Sequence, residues 1–206
     1  MHLLSLSLCV LRHPVDTFHV VQRTRERFSF LPALILLALT VLARLVFIQT
    51  VHYPLQVADP RYSNWIMETA MYLAPLLSIA VCGFAVSSIL DGEMMMRESL
   101  TAVAYSMMPY LVFILPLSAL SHLLGQGSSL FTIIECAIWA WCIVLYIVSM
   151  KTMNSYTFAK TLLVLLLTVL LIALMWAVVL LLYALGNQLK DFLVSVYREF
   201  KYVIRR

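Results

Sequence analysis

Charge is scarce in this chain. Its 206 residues are 12% charged and 63% hydrophobic, whereas a soluble domain carries about 25% charged residues. Too little polar surface remains to coat a water-facing globule. The deficit excludes a soluble fold and makes lipid the natural solvent. Metal and disulfide patterns are missing as well. Cys9, Cys82, Cys136 and Cys142 form no C-x-x-C pair, and three of them sit in apolar runs. They read as small buried apolar side chains, not as a disulfide framework or a zinc site. His2, His13, His19, His52 and His122 show no i,i+4 pairing. No metal site and no cofactor is expected. The net charge of +4 is small, and no folded soluble surface is available to carry a basic stripe for nucleic acid. The basic residues gather in the two tails, where anionic lipid head groups are the fitting partner.

Catalytic motifs are equally lacking. No phosphate loop or dinucleotide fingerprint is present, and "GQGSSL" at Gly125–Leu130 is a turn without a G-x-S-x-G elbow. The nearest approach to an intramembrane protease is Glu93-x-x-x-Arg97. CAAX-type proteases carry two glutamates before that arginine, followed by helix-borne histidines. Here Gly92 takes the place of the first glutamate, and the downstream histidine is His122, in a loop. No catalytic residue is assigned, and the chain is not read as an enzyme.

Long apolar runs are what the chain has. A helix needs about 20 apolar residues to cross the hydrocarbon core, and five stretches qualify: residues 29–49, 66–90, 101–124, 129–150 and 161–185. Each must be helical, because unpaired backbone groups are not tolerated in lipid. The expected fold is an all-α integral membrane protein of five transmembrane helices with amphipathic N- and C-terminal helices. Residues 1–28 form an interfacial segment whose first helix ends at Pro14, residues 29–185 the five-span domain, and residues 186–206 a basic amphipathic helix. In that tail Leu189, Phe192, Leu193, Val196 and Phe200 recur at helical spacing. Lys190, Arg198 and Lys201 lie largely on the other face. Such a helix lies in the head-group layer or packs on a partner.

Basic residues almost tie across the membrane. With the N-terminus inside, Arg12, Arg23, Arg25, Arg27, Arg97, Lys151 and Lys160 are inside, against Arg61 and the five tail cations outside. The internal loops favour the N-inside orientation.

Charge does concentrate in "LDGEMMMRESLTAVAYSMMPY", Leu90–Tyr110. Asp91-Gly92 is a turn signal, with Gly92 expected to end the preceding helix. Glu93 and Arg97 are expected as i,i+4 neighbours on the next helix. Two ionisable residues, Arg44 and Glu135, fall inside spans one and four at similar depth. They are expected either to pair with each other or to snorkel separately. Pro109 and Pro116 fall in the third span, as kinks or as openings that free carbonyls along a path.

Three stretches carry a family resemblance. "HPVDTF" at His13–Phe18, Gly92-Glu93, Arg97 and Ala104-Tyr105-x-x-x-Pro109 within Leu90–Tyr110, and "YTFAKTL" at Tyr156–Leu162 resemble the bacterial branch of the YIP (Ypt-interacting protein) domain family. Eukaryotic members are five-span proteins of early secretory membranes that associate with small GTPases, shape or sort membrane, and carry a long cytosolic N-terminal segment; only a short one precedes the first span here. Some bacterial members are encoded beside carbohydrate ABC importers. The resemblance therefore implies a non-catalytic scaffold or accessory subunit of a bacterial cytoplasmic membrane, with the N-terminus cytoplasmic. Its expected partners are membrane lipids and another integral membrane protein, such as ABC transporter permease subunits. The residues singled out for interaction or fold specification are His13, Pro14, Asp16, Asp91, Gly92, Glu93, Arg97, Tyr105, Pro109, Tyr156 and Lys160. The alternative is a small-solute channel or transporter lined by Arg44, Glu135 and the kinked third span.

Overall fold

A computed structural model describes residues 14–23, 31–51, 64–122 and 129–204. The described residues are helical between short turns. Helix α1 spans Pro14–Arg23. Proline suits the first helical position, since its fixed φ is preorganised and its missing N–H would have no partner there. Pro14 therefore opens a helix; the helix it was expected to end, and His13, lie outside the described residues. Helix α1 buries Thr17 and Phe18 and leaves Asp16 exposed.

Among the described residues, five segments are long and apolar enough to cross a membrane. The first is α2, Leu31–Thr50, and the second α3, Trp65–Ile89. The Asn64 side chain starts α3 by accepting the Ile66 N–H at 3.1 Å. The third span is built from two helices, α4 (Met96–Ser106) and α5 (Met108–Ser121). They meet at Met107 because Pro109 has no N–H to return to the Tyr105 carbonyl. Pro116 sits inside α5 without a break. The fourth span is α6, Ser129–Met153, and the fifth lies in α7, Phe158–Ile204.

The third span is the hub. It is 72% buried, against 39% or less for the others, and it packs on spans one, two and four. Small residues such as Ala102, Ala104 and Ser106 let those helices approach closely. The outer faces are apolar and exposed, Ile66 and Leu162 among them, as lipid-facing surfaces require. Helix α1 packs along α6.

The chain groups into two units, Met1–Thr168 and Val169–Arg206. The first holds the four inner spans and the start of α7, whose Thr161, Val164 and Thr168 are buried. The second is the rest of α7, apolar all round up to Leu185 and then amphipathic. No break separates the fifth span from the tail: the helix expected to begin at residue 186 continues from Phe158.

Candidate functional site

Two turns on one side of the membrane interlock. Helix α3 closes with Leu90 as its cap. The Leu90 N–H donates to the Val86 carbonyl at 3.1 Å, and the Gly92 N–H to the Ser87 carbonyl at 2.8 Å. This is the six-to-one bond of a Schellman ending. The left-handed residue, however, is Asp91, at φ 53°, not the glycine. Gly92 answers a demand for space. A Cβ there would stand 2.5 Å from the Asn154 Oδ1, 2.8 Å from the Ser87 carbonyl, and against the Tyr156 hydroxyl.

Asn154 and Tyr156 hold that turn from the far side, out of the loop between α6 and α7. The Met94 N–H donates to Asn154 Oδ1 at 3.2 Å, while Asn154 Nδ2 donates to the Met150 carbonyl at 3.1 Å. The Tyr156 hydroxyl faces the carbonyls of Ser87, at 3.2 Å, and Leu90, at 3.1 Å. The Lys160 ammonium rides over the Tyr156 ring, 4.5 Å from its centroid. Burial, and then the Asp91 carboxylate, push the Tyr156 phenol above its ordinary pKa. Helix α1 joins the cluster through Gln22, whose Nε2 donates to the Met153 carbonyl and the Ser155 Oγ, both at 3.4 Å.

Just beyond the turn, Glu93 precedes α4 instead of riding on it, so it is not an i,i+4 neighbour of Arg97 on one helix. Both are exposed. The helix start belongs to Glu98, whose buried carboxylate accepts the Met95 N–H at 2.9 Å. One turn later, Ser99 Oγ donates across to the Ala80 carbonyl at 2.6 Å and ties α4 to α3.

The structure thus brings Asp91, Gly92, Tyr156 and Lys160 into one cluster, with Pro14 and Asp16 on α1 nearby in sequence to Gln22. Tyr105 and Pro109 are buried inside the third span. Asn154, Gln22 and Glu98 were missed by reading the sequence. The polar Asn154-Ser155 step between two apolar runs is the signal that marks the first.

Arg44 sits in α2 and Glu135 in α6. The Arg44 guanidinium lies 5.6 Å from the Phe47 ring centroid, and Tyr110 of the third span is fully buried. The Tyr110 ring packs with Trp139 and Tyr72, at centroid separations of 5.1 and 5.6 Å. His122 ends the third span with its Nε2–H on the Thr50 carbonyl at 2.9 Å, a structural use of the ring. Among the described residues, no group of three or more His, Cys, Asp or Glu is placed to hold a metal.

The family model of the Yip1 domain matches residues 8–181. The chain belongs to the Yip1 domain family. It is therefore a multi-pass protein of a membrane family whose members are not known as enzymes. The matched region of this Yip1 chain takes in both interlocked turns and Gln22. No curated protein and no solved structure matches it.

Proposed function

We propose that this Yip1-domain protein is a non-catalytic membrane scaffold that docks another integral membrane protein on the face formed by its interlocked turns. One observation carries the reading. Hydrogen bonds from Asn154 and Tyr156 hold the backbone from Ser87 to Met94, while the charges of Asp91, Glu93 and Arg97 stay exposed. A held backbone with outward charges is preorganised for recognition, since little order is lost on binding. In this reading the buried Tyr105 and Pro109 serve to specify the fold.

The docking face is cytoplasmic in this reading. Arg97, Lys151 and Lys160 lie at the helix ends on its side of the spans, in keeping with the positive-inside tendency. The first partners to test are permease subunits of carbohydrate ABC importers in a bacterial cytoplasmic membrane, a choice that rests on the sequence resemblance.

Pull-down of tagged protein from its native membrane in mild detergent, read by mass spectrometry, tests the reading. A stoichiometric membrane partner that is lost from a Glu93→Ala/Arg97→Ala variant of unchanged melting temperature supports it. Recovery of the chain alone across several detergents overturns it.

A further inference from the structure

Spans two and four both pack on the third, and they approach each other where Tyr146 and Met150 of α6 face Gly83 of α3. Away from that point they part and leave a cavity of about 520 Å³, within the range of roughly 300–1,000 Å³ of small-molecule pockets. Its floor is Val103, Ser106 and Met107 of the third span. Its rim residues Met71, Pro75 and Ile143 are exposed, so the opening faces hydrocarbon. Pro75 has no N–H for the Met71 carbonyl, which leaves an acceptor at that rim.

The cavity is not apolar throughout. Arg44 and Glu68 line one end. By helical rise, Arg44 lies about 9 Å below the end of α2 and Glu68 about 5 Å below the start of α3. Both are half-buried, and among the described residues neither closes an ion pair. An arginine at that depth extends its guanidinium toward the head-group layer. At the opposite end the Tyr146 hydroxyl is buried without a hydrogen-bond partner.

We propose that this cleft binds one zwitterionic glycerophospholipid, which enters sideways from the bilayer. The acyl chain lies on the Val103–Met107 floor, the phosphate meets Arg44, and the head-group amine meets Glu68. The opening selects a molecule already dissolved in hydrocarbon. The two opposite charges select the head group: a purely anionic one would face the Glu68 carboxylate, and only a zwitterion satisfies both.

Native mass spectrometry of the full-length protein tests this. The protein is delipidated in detergent, then supplied with equimolar phosphatidylethanolamine and phosphatidylglycerol. The expected result is a single retained lipid, with phosphatidylethanolamine favoured at least fivefold. Ile143→Trp, which fills the opening from an exposed position, should cut the adduct at least tenfold. Glu68→Gln should abolish the preference while lipid is still retained. This second variant keeps the test decisive if the first folds poorly, and monodispersity on gel filtration monitors both. No retained lipid, equal adducts in wild type and I143W, or a preference unchanged in E68Q overturns the proposal. So does a lipid-free dimer that dissociates in I143W, which would mean a second copy fills the cleft.

Discussion

The Tyr156 hydroxyl sits 3.1 Å from the Leu90 carbonyl, between a loop that precedes the fifth span and the end of the second. This contact joins two helix ends that the chain separates by two further crossings. Ser87 keeps its bond from the Gly92 N–H at 2.8 Å whatever happens at Tyr156. Leu90 is therefore the carbonyl most affected by Tyr156→Phe. The expected cost is about 1–3 kcal/mol, the penalty of leaving a buried polar group unmatched. Thermal melting in detergent checks it. Lys160→Ala removes only the cation over the ring and should cost less, about 0.5–1 kcal/mol.

Asp91 and Gly92 have exchanged the roles that a Asp-Gly turn suggests. Asp91→Gly places a residue without Cβ in the left-handed conformation and should be tolerated or mildly stabilising, by up to about 1 kcal/mol. Gly92→Ala drives a methyl into Asn154, Tyr156 and the Ser87 backbone. It should destabilise by more than about 2 kcal/mol, as overpacking against a fixed backbone does. Melting temperatures of the two single variants separate these outcomes, and a reversed order would remove the close-approach role of Gly92.

The raised pKa of Tyr156 sets a signed pH dependence. The group is neutral when protonated, and its folded pKa exceeds the ordinary 10.0. Folding therefore favours the protonated form. The stability it contributes is complete below about pH 10 and declines as pH rises from there through the folded pKa. Melting curves of wild type and Tyr156→Phe should run parallel from pH 7 to 9 and converge above pH 10. Asp91→Asn removes the like-signed neighbour, lowers the folded pKa toward the ordinary value and should reduce the extent of convergence while its onset stays near pH 10. Curves that stay parallel throughout would assign the phenol no linkage.

Much of the fold is legible because lipid enforces two rules at once, length and internal hydrogen bonding. Ser29–Gln49 and Ile66–Leu90 were bounded from apolar content alone, and the helices Leu31–Thr50 and Trp65–Ile89 differ from them by one or two residues. Apolar content alone places the third span at residues 101–124, toward its C-terminal end, because the charges of Arg97 and Glu98 fall outside an apolar run, whereas the span runs Met96–Ser121. In fact Glu98 folds back to cap the Met95 N–H and carries the helix start inside the buried part. No Ser, Thr, Asp or Asn occupies position 95 to announce it. The interlocked turns were half legible. Asp91-Gly92 stands out locally, but Asn154 reaches Met94 across sixty residues, and nothing short-range records that contact. The cleft beside Arg44 and Glu68 is a product of helix packing and has no local signature.

Arg44 in the first span and Glu135 in the fourth can be tested for coupling through the buried Tyr110 of the third. Contacting residues in one network show interaction energies of about 0.5–3 kcal/mol in double-mutant cycles, while independent sites add within about 0.3–0.5 kcal/mol. A network through the buried Tyr110 predicts that Arg44→Gln and Glu135→Gln are non-additive in the wild-type background. Tyr110→Phe keeps the ring packing with Trp139 and Tyr72 but removes the hydroxyl. In that background the non-additivity should shrink toward the limit for independent sites. Undiminished coupling would mean that the two charges communicate directly, as a pair between the first and fourth spans. Additivity in both backgrounds would mean that each snorkels to its own interface. The three-way cycle, read by melting temperature in one detergent, distinguishes all three arrangements.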